Sequence, residues 1–286
     1  MANRVLALMK RNRWLLVRRF SQAAILGLFL AGPYAGLWIL QGNLASSRFL
    51  DLISLSDPFI SLQSLAAGHA VAATALWGAL VIGLFYLIFG GRSFCAWVCP
   101  VNPVTDGAAW LRDKAGIKTS VRLDHRIRFA LIPVLLLLSY VIGEIAFEAV
   151  NPITILHRGL LFGLGTGWLV ILLIFLFDLF VVKHGWCGHL CPVGAFYGLV
   201  GRYSPLTVRA KNRQACDRCG DCFNVCPEPQ ILAPALFPEK PEVSSTVNQV
   251  DCLRCGRCLD VCHVDVFAFS APGLLNRSDQ HSGPPK

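Results

Sequence analysis

Eight of the twelve cysteines stand in two runs of the form Cys-x2-Cys-x2-Cys-x3-Cys, and the other four stand in two Cys-x3-Cys-Pro pairs. The runs are Cys216, Cys219, Cys222 and Cys226, then Cys252, Cys255, Cys258 and Cys262. Three thiolates on one tight loop can hold three irons of a cubane, and the fourth, one helical turn on, reaches the cluster of the other run. The spacing therefore predicts crossed ligand sets, Cys216, Cys219, Cys222 with Cys262 and Cys252, Cys255, Cys258 with Cys226, holding two 4Fe-4S clusters. Zinc is the alternative, although it usually takes two separated pairs. A disulfide framework requires an oxidising compartment, which the topology read below opposes.

The shorter pairs are Cys95 with Cys99 and Cys187 with Cys191, each followed by proline at Pro100 or Pro192. On a helix, i and i+4 share a face, and the proline stops the helix just beyond them. The motif recurs 92 residues on, each time after an apolar hairpin, which reads as an internal repeat. Four thiols brought together at that level can ligate a further metal centre, form a reversible disulfide, or hold the cluster module in place. Buried free thiols that only pack are the plain structural alternative.

The elements that must position these groups are apolar helices. Hydrophobic residues make up 55% of the chain and charged residues 15%, with mean hydropathy +0.55. A hydrocarbon core of about 30 Å needs about 20 helical residues, and four stretches qualify, at about 21–41, 69–89, 129–149 and 159–182. The expected fold is an α-helical membrane protein: a four-transmembrane-helix bundle of two repeated hairpins with a C-terminal, cytoplasmic two-cluster ferredoxin-like α+β module. Gly32 and Pro33 are expected to kink the first span. Domains are read as a basic cytoplasmic N-terminus (1–20), the membrane domain (21–200), the ferredoxin-like module (201–271) and a flexible tail (272–286).

Positive charge sets the orientation. Arg4, Lys10, Arg11, Arg13, Arg18 and Arg19 precede the first span, and Arg92, Arg112, Lys114, Lys118, Arg122, Arg126 and Arg128 separate the second from the third. The other two connections carry only Arg48 and Arg158, so both termini are expected in the cytoplasm of a bacterial inner membrane. Arg18-Arg19-Phe20 resembles a twin-arginine signal, but the long apolar run after it reads as an uncleaved anchor. The net charge of +9 is absorbed by this topology and by anionic headgroups. No nucleic-acid partner is expected, since the tail clusters only Arg209, Lys211 and Arg213.

Pro227, Pro229, Pro234, Pro238 and Pro241 crowd the connection between the cysteine runs and argue against a long helix there. So short a module buries little apolar surface and is expected to depend on its clusters for folding. Arg218, Arg254 and Arg257 interleave with the ligands and are expected to favour the reduced clusters. His263 stands where such a run usually carries proline.

These motifs, with Phe94 to Pro103, His184 to Ala195 and the double-cluster tail, resemble the NapH family, the ferredoxin-type quinol dehydrogenase membrane component of periplasmic nitrate reductase systems. The resemblance spans nearly the whole chain. It implies oxidation of quinol from the membrane pool, with electrons passed through a periplasmic ferredoxin-like subunit and a membrane-anchored multihaem cytochrome c. No nitrate chemistry, haem, flavin or molybdenum cofactor is expected in this chain. The cytoplasmic clusters and periplasmic acceptors would lie on opposite sides of the membrane, with Cys95, Cys99, Cys187 and Cys191 as the intermediate station.

Ionisable groups inside a bundle are functional candidates. His69, Glu144 and Glu148 are read as bordering a quinol pocket near the outer face, with the two glutamates one helical turn apart. Solvated headgroup residues are the alternative, and Asp178 is expected to pair with Lys183. Two other functions compete with quinol oxidation: electron donation for maturation or reactivation of a periplasmic metalloenzyme, and a membrane anchor whose clusters are structural.

Overall fold

In the computed structural model, residues 12–117, 119–121, 123–163, 165–238 and 245–271 are described. The expected N-terminal segment through residue 11 and the tail 272–286 lie outside them, as do Lys118 and Arg122. The chain opens with α1 (Arg13–Ala35), which carries Pro33 within it. This helix is long and apolar enough to cross a membrane, whereas the other apolar helices have 10–17 residues. It begins before the expected residue 21 because Arg18 is fully buried and Arg19 bonds Gln22, Asn102 and Asp106. It ends at Gly36, whose φ of 71° is left-handed and open to glycine at little steric cost.

A segment with no counterpart in the sequence reading follows. Strands β1 (Leu40–Gly42), β2 (Ser46–Phe49) and β3 (Ile53–Ser56) form an antiparallel meander, with Leu40 opposite Phe49 and Ser46 opposite Ser56. Asp57 then caps α2 (Pro58–Ala66): its carboxylate accepts from the amides of Phe59 and Ile60 at 2.8 and 3.0 Å. Asp at the cap with proline at the first helical position is a strong helix start. Helix α2 is tucked inside the helical body, where Phe59 and Gln63 are fully buried and Phe59 meets Phe147 and Phe196 edge-on or tilted.

Helix α3 (Ala73–Phe89) is followed by the single turn α4 (Ser93–Trp97), by α5 (Val101–Lys114) and by α6 (Ile127–Ile142). The stretch expected as one helix through residue 149 stops at Gly143, φ 73°, and a 3-10 turn forms at Glu148–Val150. The fourth stretch is also divided, into α7 (Pro152–Phe162) and α8 (Trp168–Phe180), with Gly163 at φ 88° between them. Helix α9 (Pro192–Val200) packs against α6, and α5 lies along α8. Outward faces carry apolar side chains such as Trp77, Phe85, Leu137, Leu173 and Phe180.

The C-terminal module pairs β4 (Thr207–Ala210) with β5 (Phe267–Ser270) and adds α10 (Asp221–Val225), α11 (Leu232–Leu236) and α12 (Arg257–Val261). Its small apolar core is formed by Val208, Leu232, Leu236, Val247 and Phe267, with six of the cysteines packed against it.

Candidate metal centres and their docking

The two cysteine runs fold alike. Arg218 and Gly220 in the first, and Arg254 and Gly256 in the second, take positive φ of 62°, 84°, 50° and 75°. These left-handed residues bend each loop, then α10 or α12 carries the chain one turn onward to Cys226 or Cys262 in extended backbone. One cavity is lined by Cys216, Cys219, Cys222 and Cys262, and a second by Cys226, Cys252, Cys255 and Cys258. Each thus gathers three sulfurs from one run and one from the other.

The donor chemistry fits metal. Burial, with neighbouring thiols adding to it, pushes Cys222 and Cys252 up to about 11 and Cys226 higher still. Empty, these sites would hold neutral thiols; bound iron supplies the positive charge that makes thiolates stable there. Arg18 adds a second sign: its guanidinium is fully buried, its three nitrogens have no hydrogen-bond acceptor among the described residues, and Cys255 is among the groups that act on it electrostatically. A buried cation of this kind needs anionic partners: the Asp106 carboxylate lies 3.9 Å away, and an iron-bound thiolate set beside Cys255 would be a second.

A polar junction fastens the module to the helical body. Glu228, fully buried, accepts from Arg92 at 2.7 Å and from Arg128 at 2.8 Å, while His125 lies 3.2 Å away. Burial alone would raise Glu228, but Arg92, His125 and Arg128 overcome it and hold the carboxyl far below its ordinary range. In return, the hydrogen bond to Glu228 holds His125 above its usual value. Arg92 also donates to the carbonyls of Asp251 and Cys187, and Arg128 bonds Asp251. A second joint unites Asp106 of α5 with Arg19 of α1 and Arg257 of α12. Gly91 lies so close to α9 that a Cβ there would stand 1.5 Å from the Tyr197 carbonyl oxygen.

Cys95, Cys99, Cys187 and Cys191 are buried at this junction, and none is in a disulfide. The two motifs converge on Gly194, where a Cβ would lie 3.6 Å from the Cys95 sulfur and 3.8 Å from the Cys191 sulfur. Each pair departs from the expected i, i+4 helical face. Cys95 sits in α4, but Cys99 lies past its end; Cys187 sits in a π-turn, and Cys191 is the extended cap of α9. The prolines begin new helices rather than only ending old ones. Burial raises all four thiols, Cys191 to about 12.

The residues read as a quinol pocket lie in the connections that follow α2 and α6. His69 is exposed and its Nε2 meets the Gly143 carbonyl at 3.0 Å. Glu144 is exposed, while Glu148 accepts from Asn151 and lies 3.9 Å from Arg158. Because α6 ends before them, the two glutamates share no helical face. Asp178 caps the π-turn by accepting from the Trp186 amide at 2.9 Å, and Lys183 pairs instead with Asp113 at 2.7 Å. The residues that sequence reasoning missed are Asp57, Asp106 and Glu228. Asp57-Pro58 was a readable cap signal; the ion-pair partners of the other two are distant in sequence and left none.

A family model described as a 4Fe-4S binding domain matches residues 71–118 and 164–214, and one described as a 4Fe-4S dicluster domain matches residues 215–266. The chain is 56% identical over 225 residues to the methylamine utilization ferredoxin-type protein MauN of Paracoccus denitrificans, covering 79% of this chain and 80% of the relative. It is 49% identical over 233 residues to the ferredoxin-type protein NapH of Escherichia coli, covering 81% of each. MauN of Methylorubrum extorquens is 53% identical over 80% of both chains. No solved structure matches.

Proposed function

We propose that this chain, which belongs to the NapH and MauN family of ferredoxin-type electron-transfer proteins, oxidises quinol in a membrane and delivers the electrons to a partner through iron–sulfur centres. The observation that carries the reading is the docking of two four-cysteine cavities, through buried Arg92, Arg128 and Glu228, onto a body of apolar helices. Fully buried charges on both sides of that joint hold the module at a fixed distance from the helices, as electron transfer requires.

In this reading α1, α3, α6 and α8 serve as four spans of a bacterial inner membrane, both termini are cytoplasmic, and residues 201–271 form the cluster module. Three of the helices are shorter than a bilayer crossing, and α2 and α7 extend the apolar body around them. Cys216, Cys219, Cys222 and Cys262 hold one cluster; Cys226, Cys252, Cys255 and Cys258 hold the other. When bound, these clusters supply one-electron acceptors. Arg18 compensates the charge beside Cys255, and burial behind the junction limits water. The 4Fe-4S description over 71–118 and 164–214 favours Cys95, Cys99, Cys187 and Cys191 as ligands of a further iron–sulfur centre over a disulfide pair. His69, Glu144 and Glu148 release the protons to water.

The onward partner is a periplasmic ferredoxin-like subunit with a multihaem cytochrome c, feeding nitrate reductase as the likeness to NapH suggests. The higher identity to MauN favours a second outlet, a redox protein of methylamine utilization. Proteoliposomes holding the iron-loaded full chain, given menaquinol or ubiquinol and a soluble one-electron acceptor, test the shared step. Acceptor reduction that depends on the chain is expected. If neither quinol supports it, while dithionite still reduces the clusters, the chain is an assembly donor or anchor instead.

A further inference from the structure

Between α1, the β1–β3 meander and α3 lies a cavity of about 310 Å³ whose walls include Phe29, Ile82 and Val98 and whose polar groups include Asp57, Tyr86 and Tyr197. This falls at the small end of ligand sites, roughly 300–1,000 Å³. A second cavity of about 490 Å³ shares Ile25, Phe85, Tyr86 and Val98 with it and reaches Trp97 and Arg254 beside the second cysteine loop. Both lie between α1 and α3, helices whose outer faces are apolar.

Asp57 is buried and accepts from three donors, the Phe59 and Ile60 amides and the Tyr197 hydroxyl at 2.9 Å. Tyr86 is buried too, and among the described residues its hydroxyl makes no hydrogen bond. Tyr86, Tyr197 and Phe94 form one aromatic cluster, with Phe94 stacked on Tyr197 at 5.0 Å and Tyr86 edge-on to Tyr197 at 4.9 Å. Phe94 is the residue before Cys95. An apolar slot thus ends in an acid and a phenol with a free hydroxyl, a few side chains from the thiols.

We propose that this cavity binds the quinol ring, with the tail in the adjoining α1–α3 cavity, and that Asp57 is the base that takes its hydroxyl protons. The proposal rests on the quinol reading above and replaces His69, Glu144 and Glu148 as the binding site, leaving them the exit. Oxidation to quinone breaks two O–H bonds. Asp57 takes the first proton, gives it up to water, then takes the second; the two electrons leave singly to the iron–sulfur centres. The Tyr86 hydroxyl donates to the ring oxygen as it becomes a carbonyl.

Three full-length, cluster-loaded proteins in lipid nanodiscs test this: wild type, Asp57→Asn and Ile82→Trp. Asparagine keeps the helix cap but cannot act as the base; tryptophan fills the slot. The readouts are binding of 2-heptyl-4-hydroxyquinoline N-oxide by fluorescence quenching, the rate of quinol oxidation, and dithionite-reduced cluster EPR as the check on folding. Asp57→Asn is expected to bind the inhibitor within about threefold of wild type yet oxidise quinol about a hundredfold more slowly. Ile82→Trp should weaken inhibitor binding at least about tenfold. If the wild type oxidises quinol and Asp57→Asn matches its rate, or Ile82→Trp binds the inhibitor unchanged, the pocket assignment is wrong while the quinol reading stands. If the wild type itself ignores both quinols, the reading falls and takes the assignment with it.

Discussion

Replacing Glu228 by glutamine keeps the side chain's size and removes the one charge that two buried guanidinium groups share. Arg92 and Arg128 are 1% and 0% exposed, and both direct a nitrogen to Glu228 Oε1. Arg128 retains Asp251 on its second nitrogen, whereas Arg92 loses its direct carboxylate contact and keeps the carbonyls of Asp251 and Cys187 and the Cys95 sulfur. Breaking a buried pair by removing one partner costs about 3–5 kcal/mol, because the remaining charge stays desolvated. With a sensitivity of about 2–4 °C per kcal/mol for a domain of this order, Glu228→Gln should lower the midpoint for loss of iron–sulfur absorbance by roughly 10 °C. Exposed Glu144→Gln, changed by less than about 0.5 kcal/mol, is the comparison. A Glu228→Gln midpoint within about 2 °C of wild type would refute the claim that this junction fastens the module.

The pH profile of the same midpoint follows from two opposite signs. Glu228 is held below its unfolded value, so its contribution is present above about pH 4.3 and is lost as pH falls through the lowered folded value. His125 is held above its own, so its contribution is present below about pH 6.5 and fades as pH rises through the raised value; His125→Gln should abolish this alkaline limb and, because His125 helps hold Glu228 down, move the acid limb to higher pH. Gly91→Ala must displace the backbone of α9, since its Cβ would fall 1.5 Å from the Tyr197 carbonyl, and should destabilise by more than the roughly 1–3 kcal/mol of ordinary overpacking. Iron analysis should give about twelve atoms per chain if the four buried thiols hold a further cubane, falling to about eight in Cys95→Ser/Cys187→Ser; about eight in both would leave those thiols without iron. Chelation should make residues 207–270 protease-sensitive while α1 to α9 stay folded, measured by limited digestion.

The cysteine runs were legible because iron ligation dictates both residue type and spacing, and the crossed grouping around two cavities follows from that spacing. Apolar length located the helices but not their ends. Gly143 and Gly163 stop helices inside apolar stretches where hydropathy continues, and Arg18 and Arg19 lie within α1 because α5 and α12 meet them there. The β1 to β3 meander was invisible, although Asp57-Pro58 signalled the start of α2: its strands are three or four residues long, and the pattern Leu-Gln-Gly, Ser-Ser-Arg-Phe carries no strong alternation. Glu228 and Asp106 gain their meaning from arginines brought from 87 to 151 positions away in the chain. Charge placement suggested a cytoplasmic module, but only folding shows that Arg92 and Arg128, counted for topology, are fully buried in its docking joint.

The most direct test of the account mixes anaerobic, iron-loaded full-length protein in nanodiscs with menaquinol or ubiquinol and follows the clusters by freeze-quench EPR. Electron flow from quinol predicts signals of reduced 4Fe-4S clusters that grow with quinol consumption and are abolished by a quinol-site inhibitor. Clusters that stay oxidised with both quinols, and respond only to dithionite, would contradict it.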